Sequence, residues 1–236
     1  MKKVLLPVLL FLAINLFSQD DPFISFGAEL NPKIVTNIFK KSDHLDPYHP
    51  LSGSIAGNIY LNFSPRLSLL SGLSFNALKA GQRDYSILLG NDHDENGNAL
   101  LKNSWINTEY LNYYLGIPVD IQWNLSDKAN SPYLKLGQET LFKVGKKTTN
   151  EIVSNGGNEI SPISSPQTHE FSDFIITFNF GIGYEFVLNE NIKFYLEPNI
   201  EYSANPFLKN DTLAPTGFNE LNQHFLNLGL NMGLRF

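Results

Sequence analysis

The chain ends with the sequence Gln223-His224-Phe225-Leu226-Asn227-Leu228-Gly229-Leu230-Asn231-Met232-Gly233-Leu234-Arg235-Phe236. Apolar side chains occupy every second position of this stretch, at Leu226, Leu228, Leu230, Met232, Leu234 and Phe236. Asparagine, glycine and arginine stand between them. A repeat of two residues over this length predicts a β-strand with one apolar face and one polar or small face.

The apolar stripe of this terminal strand resembles the assembly signal of bacterial outer-membrane β-barrels. Its core is Leu228, Leu230, Met232, Leu234 and Phe236, so the chain ends on an aromatic ring. We therefore expect outer-membrane lipid and the barrel assembly machinery to be partners of this protein.

The first residues have the composition of a secretory signal peptide. Lys2 and Lys3 form a short positive region, an apolar run covers residues 4–17, and Ser18 is a small residue suited to cleavage. The run is shorter than the roughly 20 residues that a membrane-spanning helix needs. We expect a signal peptide at residues 1–18 and an outer-membrane barrel domain at residues 19–236. The absence of cysteine excludes a lipid-anchored cysteine, a disulfide framework and a cysteine metal site.

Composition and charge limit the classes of function. The formal net charge is −6 and no dense basic cluster is present, so we expect no nucleic-acid partner. The hydrophobic fraction of 42% would also suit a soluble protein. The periodicity of the apolar residues, rather than their number, therefore has to identify a membrane protein.

Alternation predicts seven further strands, at residues 23–36, 52–63, 66–79, 106–123, 132–146, 171–187 and 192–204. Most exceed the roughly 9–11 residues with which a tilted strand crosses a membrane. Connections are short at residues 64–65, 124–131 and 188–191, and long at residues 37–51, 80–105, 147–170 and 205–222. This pattern predicts an all-β, eight-stranded antiparallel up-and-down transmembrane β-barrel with periplasmic termini and extracellular long loops.

The number of apolar side chains decides which face of the strands meets lipid. These faces carry about forty large side chains, whereas three packed layers in an eight-stranded barrel hold roughly a dozen. The apolar face must therefore point outward, which argues against a soluble barrel. Aromatic residues on it form two groups, near the short turns (Phe26, Phe63, Trp123, Phe186, Phe194, Phe236) and near the loops (Phe75, Phe174, Tyr202). Two such belts indicate the two membrane interfaces.

Two internal motifs resemble a known family. The stretch Tyr110-Leu111-Asn112-Tyr113-Tyr114-Leu115-Gly116-Ile117-Pro118-Val119 looks like the YLxIP strand of the PorT-like outer-membrane β-barrel proteins, and Phe194-Tyr195-Leu196-Glu197-Pro198 and the closing strand match the same pattern. The resemblance covers the mature chain and implies a barrel in a Gram-negative outer membrane. PorT itself is implicated in type IX secretion, so an accessory barrel of a type IX secretion or gliding machinery is one implied role. Pro118 and Pro198 lack a ladder donor, so each predicts a bulge or another irregularity of its strand.

The polar faces of the strands are rich in charge. Six acids are expected in the lumen, namely Glu29, Asp120, Glu139, Glu185, Glu197 and Glu201, with five bases, namely Lys33, Lys135, Lys143, Lys193 and Arg235. Hydrogen-bonding partners are expected at Asn58, Tyr60, Asn112, Tyr114, Asn179, Tyr195 and Asn231. The numbers of acidic and basic residues are nearly equal, which predicts a plug of ion pairs, because unpaired charges in a narrow lumen are costly. The alternative is a gated path for small ions, although side chains just fill an eight-stranded barrel.

The second long loop contains half of a calcium-binding motif. Asp92, Asp94 and Asn96 place oxygen ligands at alternate positions before Gly97, as a hard cation requires. The glutamate expected at the twelfth position is replaced by Asn103. The alternative is a solvated acidic loop with an Asn-Gly turn. Calcium is thus the one cofactor that the sequence suggests.

The histidines all map to the loop side, at His44, His49, His93, His169 and His224. They could form a transition-metal site, but exclusion of histidine from lipid-facing positions explains the same distribution. Ser42, Asp43 and His44 supply the residue types of a rim-located lipid-modifying enzyme without a diagnostic spacing. The sequence favours a non-enzymatic scaffold whose surface loops bind a partner, such as an envelope or secretion-complex protein.

Overall fold

Nine β-strands make up the part of the chain that the structure, a computed structural model, describes: residues 23–38, 46–47, 50–93, 99–154, 171–207 and 224–236. Eight are long: β1 (Ile24–Ile38), β3 (Leu51–Ser64), β4 (Leu67–His93), β5 (Ala99–Asn124), β6 (Ser131–Ser154), β7 (Phe174–Asn189), β8 (Ile192–Ser203) and β9 (His224–Arg235). The ninth, β2 (Asp46–Pro47), has two residues and pairs with β4. Among the described residues, no helix is long and apolar enough to cross a membrane.

The eight long strands close into one barrel. Each pairs antiparallel with its neighbour along the chain, and β1 also pairs with β9. At this seam Gly27 lies opposite Arg235 and Ile38 lies opposite His224. The predicted eight-stranded up-and-down barrel is therefore confirmed. Closure gives the backbone groups of the wall a partner within the sheet, which a lipid environment demands.

Side chains alternate between the two faces of the barrel wall. On β5 the outward residues are 42–54% exposed, namely Leu115, Ile117, Val119 and Ile121. The residues between them are buried, namely Gly116, Pro118, Asp120 and Gln122. The same alternation on the other strands gives a broad apolar outer surface, including Phe26, Ile55, Leu73, Phe178 and Phe180. Such a belt would be unfavourable in water and is favourable against lipid.

The stripe of β9 lies on this outer face. Leu228, Leu234 and Phe236 are exposed, and Leu230 and Met232 are half-buried on the same side. Phe236 also completes the seam of the barrel, since its backbone N–H donates to the carbonyl of Phe26 at 2.9 Å and its carbonyl accepts a bond from the N–H of Phe26 at 2.8 Å. The role of the stripe in assembly stays a prediction.

Deletion of Phe236 is expected to reduce insertion into the outer membrane, because it removes the terminal ring and both seam hydrogen bonds. The measurement is the yield of heat-modifiable barrel in outer-membrane fractions. Phe26→Ala is the matched control, because it removes a ring from the same seam and leaves the chain end intact. Equal yields for the two variants would contradict a special role for the terminal residue.

Three strands are longer than the sequence predicted. β4, β5 and β6 have 27, 26 and 24 residues, and their ladders cover residues 80–93, 99–105 and 147–154 of the segments predicted as loops at 80–105 and 147–170. Asp92 pairs with Leu100, and Ser104 pairs with Ser154. The period-two signal reports one continuous apolar face against lipid, whereas residues 80–93 and 99–105 mix polar and apolar side chains without that regular alternation. The extensions therefore left no clear trace in the apolar pattern.

The irregularities predicted at Pro118 and Pro198 are interruptions of one ladder each and not bulges, since the β4–β5 pairing skips Pro118 and the β7–β8 pairing skips Pro198. Pairs on either side of Pro118, Ser71–Val119 and Ser74–Gly116, keep the same register, and the register of β8 also passes Pro198 without a shift. Each proline removes one donor locally without adding a residue to its strand. The structure places the β5–β6 irregularity between Tyr113 and Tyr114 instead.

Candidate functional site in the barrel lumen

Polar side chains from all eight long strands fill the lumen. The alternation that exposes one face of each strand to lipid directs the other face inward. The predicted network residues all lie there: Glu29, Lys135, Glu139, Glu185, Lys193, Glu197 and Arg235. The network forms three groups from the short turns toward the loops, which we call the short-turn cluster, the central cluster and the upper cluster.

Arg235 on β9 organises the short-turn cluster. Its Nη1 lies 3.0 Å from Oε1 of Glu185, its Nε donates to Oγ of Ser25 at 2.9 Å, and its Nη2 donates to Oδ1 of Asn62. The guanidinium also lies 4.3 Å from the ring centroid of Tyr60, within cation–π range. One side chain thus joins β9 to β1, β3 and β7 across the lumen.

Lys135 on β6 organises the central cluster. Its Nζ lies 2.7 Å from Oε1 of Glu197 and 3.7 Å from Oε2 of Glu29. The hydroxyl of Tyr195 donates to Glu29 at 2.9 Å, and Nδ2 of Asn231 donates to Glu197 at 2.6 Å. The ammonium therefore compensates two carboxylates that have little access to water, and its removal would leave both without a cation.

Lys33 and Glu201 form the ion pair of the upper cluster, with Nζ 2.9 Å from Oε2. Lys33 also donates to Oδ1 of Asn76 at 3.1 Å, and Nδ2 of Asn76 donates to Glu139 at 3.0 Å. Ser74 donates a further hydrogen bond to Glu139. Asn76 therefore links the ion pair to a carboxylate that has hydrogen bonds but no ion pair of its own among the described residues.

Apolar side chains close the loop-side end of the lumen, and we call this group the apolar plug. Its members are Val35, Leu78, Tyr110, Tyr114, Leu141, Phe171, Ile175, Phe207 and Phe225. None is more than 7% exposed. Phe171 and Phe207 come from outside the long strands, and their ring centroids are 4.8 Å apart. A backbone hydrogen bond of 2.8 Å from Ser172 to Phe207 holds the two segments together.

The sequence analysis missed the apolar plug. It placed residue 171 at the start of a lipid-facing strand, whereas β7 begins at Phe174 and Phe171 turns into the lumen. Phe225 stands on the polar side of the closing strand, and this break in the pattern was the available signal. Tertiary contacts determine the plug, because two of its rings come from segments with no strand periodicity.

The structure places one of the five predicted lumen bases at the rim of the barrel. Lys143 lies at the rim, where its Nζ donates to the carbonyl of Phe171 and to Oδ1 of Asp173, both at 3.0 Å. Lys193 lies 3.8 Å from Glu185 and is 30% exposed at the short-turn end. Among the described residues, the lumen thus holds six acids and four bases, the bases being Lys33, Lys135, Lys193 and Arg235. Carboxylates exceed bases by two.

A cavity of about 40 Å³ separates the central and upper clusters. Five acids line it, namely Glu29, Asp120, Glu139, Glu197 and Glu201, with Lys135 as the one lining base. The short-turn cluster lies toward one end of the lumen and the apolar plug toward the other. Within the described ranges, no three histidine, aspartate or glutamate side chains converge as in a preformed metal centre.

Inward-facing glycines make room for the large lumen side chains. A Cβ added at Gly181 would lie 2.6 Å from the carboxyl group of Glu197, and one at Gly116 would overlap Glu139. Gly57 on the outer face differs, because a Cβ there would meet nothing within 4 Å. Glycine is thus a requirement of side-chain packing at Gly181 and not at Gly57.

Gly181→Ala is expected to lower the free energy of unfolding by about 1–3 kcal/mol, because the methyl group forces Glu197 away from Lys135. Gly57→Ala is the matched control and should be neutral or slightly stabilising, since it restricts the unfolded chain without a clash. The measurement is urea unfolding in lipid vesicles, followed by tryptophan fluorescence. Equal stability of the two variants would show that the lumen can relax around the added methyl group.

The other predicted sites lie largely outside the described residues. Asp92 is part of β4, whereas Asp94 and Asn96 lie outside the described ranges, as do Ser42, Asp43 and His44. His224 lies at the rim, where its ring stacks on Tyr202 with centroids 5.7 Å apart and its Nδ1 lies 2.8 Å from the carbonyl of Ser203. The calcium loop, the histidine metal site and the rim enzyme therefore stay predictions.

Comparison with known proteins finds small outer-membrane barrels. No protein-family model matches the chain, and no curated protein sequence matches it. OprG from Pseudomonas aeruginosa is 10% identical over 90% of this chain and 96% of its own, with a TM-score of 0.40. Neisserial surface protein A is 11% identical over 89% and 95%, with a TM-score of 0.39. Ail, the attachment invasion locus protein of Yersinia pestis, is 14% identical over 90% and 97%, with a TM-score of 0.38. The strand pairing of this chain itself establishes its barrel fold.

Proposed function

We propose that this protein is an integral outer-membrane β-barrel that serves as a non-enzymatic scaffold for its extracellular loops. The observation that carries the proposal is the filled lumen. Ion pairs and hydrogen bonds occupy its short-turn and central regions, and the apolar plug closes its loop-side end. A barrel of this kind anchors and presents its surface loops rather than conducting solutes.

The exposed apolar belt supports the membrane location. Large exposed side chains surround the wall, and Trp123, Phe186 and Phe236 lie near its short-turn end. Both ends of the barrel sequence, Ile24 and Arg235, belong to that end, which we assign to the periplasm. The signal peptide and the assembly stripe provide the route to this membrane.

The long hairpins support a binding role on the opposite side. β4 continues for fourteen residues beyond Lys79, which is roughly 45 Å of strand at about 3.3 Å per residue. β5 pairs with it on one side and with the extended part of β6 on the other. A three-stranded projection on a rigid barrel is a suitable platform for contact with an envelope protein or another surface partner.

Two measurements test this function. Purified protein in a planar lipid bilayer should give no stepwise conductance, and regular unitary steps would favour the ion-path alternative. An epitope inserted at residues 94–98 should be labelled on intact cells. The same epitope in the short turn at residues 126–129 is the matched control and should be labelled only after permeabilisation. The reverse result would contradict the proposed orientation.

An accessory role in type IX secretion or gliding is the second proposal, and it rests on the PorT-like motif at Tyr110–Val119. Its test is quantitative co-purification of a tagged copy from native membranes, with a tagged unrelated barrel as the control. Stoichiometric recovery of secretion-machine components would support it. Recovery of the solitary barrel would leave the scaffold proposal as the better account.

Lipid modification at the rim is the enzyme alternative. His224 is the rim histidine whose surroundings are described, and its Nδ1 lies 2.8 Å from the carbonyl of Ser203. Our proposal is that the protein has no enzymatic activity. Mass spectrometry of outer-membrane lipids incubated with the purified protein tests this, and a time-dependent change in acyl composition that His224→Ala abolishes would overturn it.

A further inference from the structure

The outer face of β6 carries an exposed polar side chain, Gln138, in the middle of the lipid-facing belt. At one end of the outward face of this strand, Leu134 pairs with Trp123 of the short-turn aromatic group. At the other end, Phe142 packs against Phe174 of the loop-side aromatic group, with ring centroids 5.6 Å apart. Gln138 lies half-way between Leu134 and Phe142. At about 3.3 Å per residue, roughly 13 Å of strand therefore separates Gln138 from either interface.

The side chain of Gln138 has no hydrogen-bond partner among the described residues. Within the described ranges, it is also the one side-chain amide on the outer wall between the two aromatic groups. Ser71, another polar residue of this wall, differs because its Oγ donates to the carbonyl of Pro118 at 2.9 Å. Lipid tails offer an amide neither donors nor acceptors, so an unpaired amide in the belt costs free energy. A polar group from another molecule in the membrane would remove this cost.

The residues around Gln138 form a surface that can pack against another protein. Directly beside it in the wall lie Val119 on β5 and Phe178 on β7, which are 42% and 53% exposed. Along β6 its outward neighbours are Leu136, which is 62% exposed, and Thr140. We call these five residues the Gln138 face. In lipid, close packing together with side-chain hydrogen bonds drives the association of membrane-spanning segments, and this face offers both.

The depth and the chemistry of Gln138 indicate which partner fits. All copies of the barrel insert in the same direction, so a two-fold axis along the membrane normal brings Gln138 of one copy to the same depth as its counterpart in the other. An amide is both donor and acceptor, so two amides can form a reciprocal pair of hydrogen bonds. A carboxylate or an ammonium at this position would repel its own copy. The Gln138 face is therefore self-complementary.

We propose that the Gln138 face binds a second copy of this chain, with the two Gln138 side chains hydrogen-bonded to each other at the centre of the interface. The proposal rests on the membrane location proposed above and adds a dimer contact to the scaffold. The dimer holds two sets of extracellular loops side by side. A partner with two binding sites would gain affinity from this arrangement without any new contact.

Resonance energy transfer in vesicles tests the association. The chain has no cysteine, so Lys128→Cys in the exposed turn after β5 gives one labelling site. Donor-labelled and acceptor-labelled copies are inserted together into phosphatidylcholine–phosphatidylglycerol vesicles at increasing lipid-to-protein ratios. Energy transfer should exceed that of random proximity and fall along a monomer–dimer curve. Folded, heat-modifiable barrel without excess transfer would overturn the dimer and leave the scaffold function standing, whereas failure to insert would count against both.

Gln138→Leu should weaken dimerisation on the order of tenfold, because two side-chain hydrogen bonds in lipid are lost. This variant should insert at least as well as the wild type, since leucine is apolar and the monomer no longer exposes an amide to lipid. Ser71→Ala is the matched control, because it removes a polar group of the outer wall that bonds within its own barrel. Its dimerisation should match that of the wild type. Unchanged dimerisation of Gln138→Leu, or an equal loss in both variants, would overturn the proposal.

Cross-linking locates the contact and identifies the partner. Leu136→Cys keeps Gln138 intact, and a membrane-permeant bis-maleimide should join it to its own copy in native outer membranes. Leu30→Cys is the control, because Leu30 is 49% exposed on β1, four strands away on the opposite side of the barrel. A product of twice the mass of the barrel, formed at Leu136→Cys alone, would support the proposal. A product that contains a different protein, or equal yields at the two positions, would contradict it.

Discussion

Lys135→Met is expected to lower the free energy of unfolding by about 3–5 kcal/mol, the range for breaking a buried ion pair from one side. Lys135 lies 2.7 Å from Glu197 and 3.7 Å from Glu29, and all three side chains are at most 12% exposed. Methionine fills a similar volume but leaves two carboxylates facing each other without a cation. The measurement is the midpoint and slope of urea unfolding in lipid vesicles.

Two further variants test the cause of that loss. Glu197→Gln in the Lys135→Met background should recover part of the stability, because it removes one of the uncompensated charges. Lys193→Met is the matched control, since Lys193 is 30% exposed and Glu185 keeps Arg235 at 3.0 Å. Its effect should be about 1 kcal/mol or less. If Lys193→Met lowered the free energy of unfolding as much as Lys135→Met does, burial of the ion pair would not be what determines the loss of stability.

Ile117→Arg should destabilise the inserted barrel by about 2–4 kcal/mol, the cost of a charge at the midplane of a barrel's lipid face. Ile117 is 44% exposed and lies half-way between Trp123 and Leu111 on β5. The charge cannot reach either interface from that position without distorting the bilayer. The measurement is the fraction of folded, heat-modifiable protein across a urea series in vesicles.

Leu125→Arg supplies the matched control, because Leu125 is 49% exposed but lies in the turn after β5. The same substitution there should have little effect, since the guanidinium remains in water. Equal destabilisation at the two positions would contradict the membrane-facing assignment of the outer surface. A soluble barrel would tolerate both changes, because an added surface charge is inexpensive in water.

Sequence analysis was accurate for the wall of the barrel and less so for its contents. The eight strands and their inward and outward faces follow from a period of two, as the closing stretch from Leu226 to Phe236 illustrates. The long hairpins of β4–β6 were underestimated, because their outer parts carry no lipid-facing stripe. Lys143 was assigned to the lumen because alternation along β6 points it inward, yet its side chain turns to Asp173 at the rim. Alternation identifies the face on which a residue lies but not how far along the barrel axis a long side chain reaches.

The sequence by itself determined the closed antiparallel barrel and its lipid-facing surface, because lipid requires an apolar residue at every second position of each spanning strand. Only the tertiary structure decided which lumen charges meet. Arg235 bonds Ser25, 210 residues away, and Lys33 bonds Glu201, 168 residues away. It also decided the apolar plug and the acceptor-lined cavity. The reason is that barrel closure and the stagger of the strands determine which inward residues lie at the same height along the barrel axis. Neither property can be predicted from the sequence pattern of a single strand.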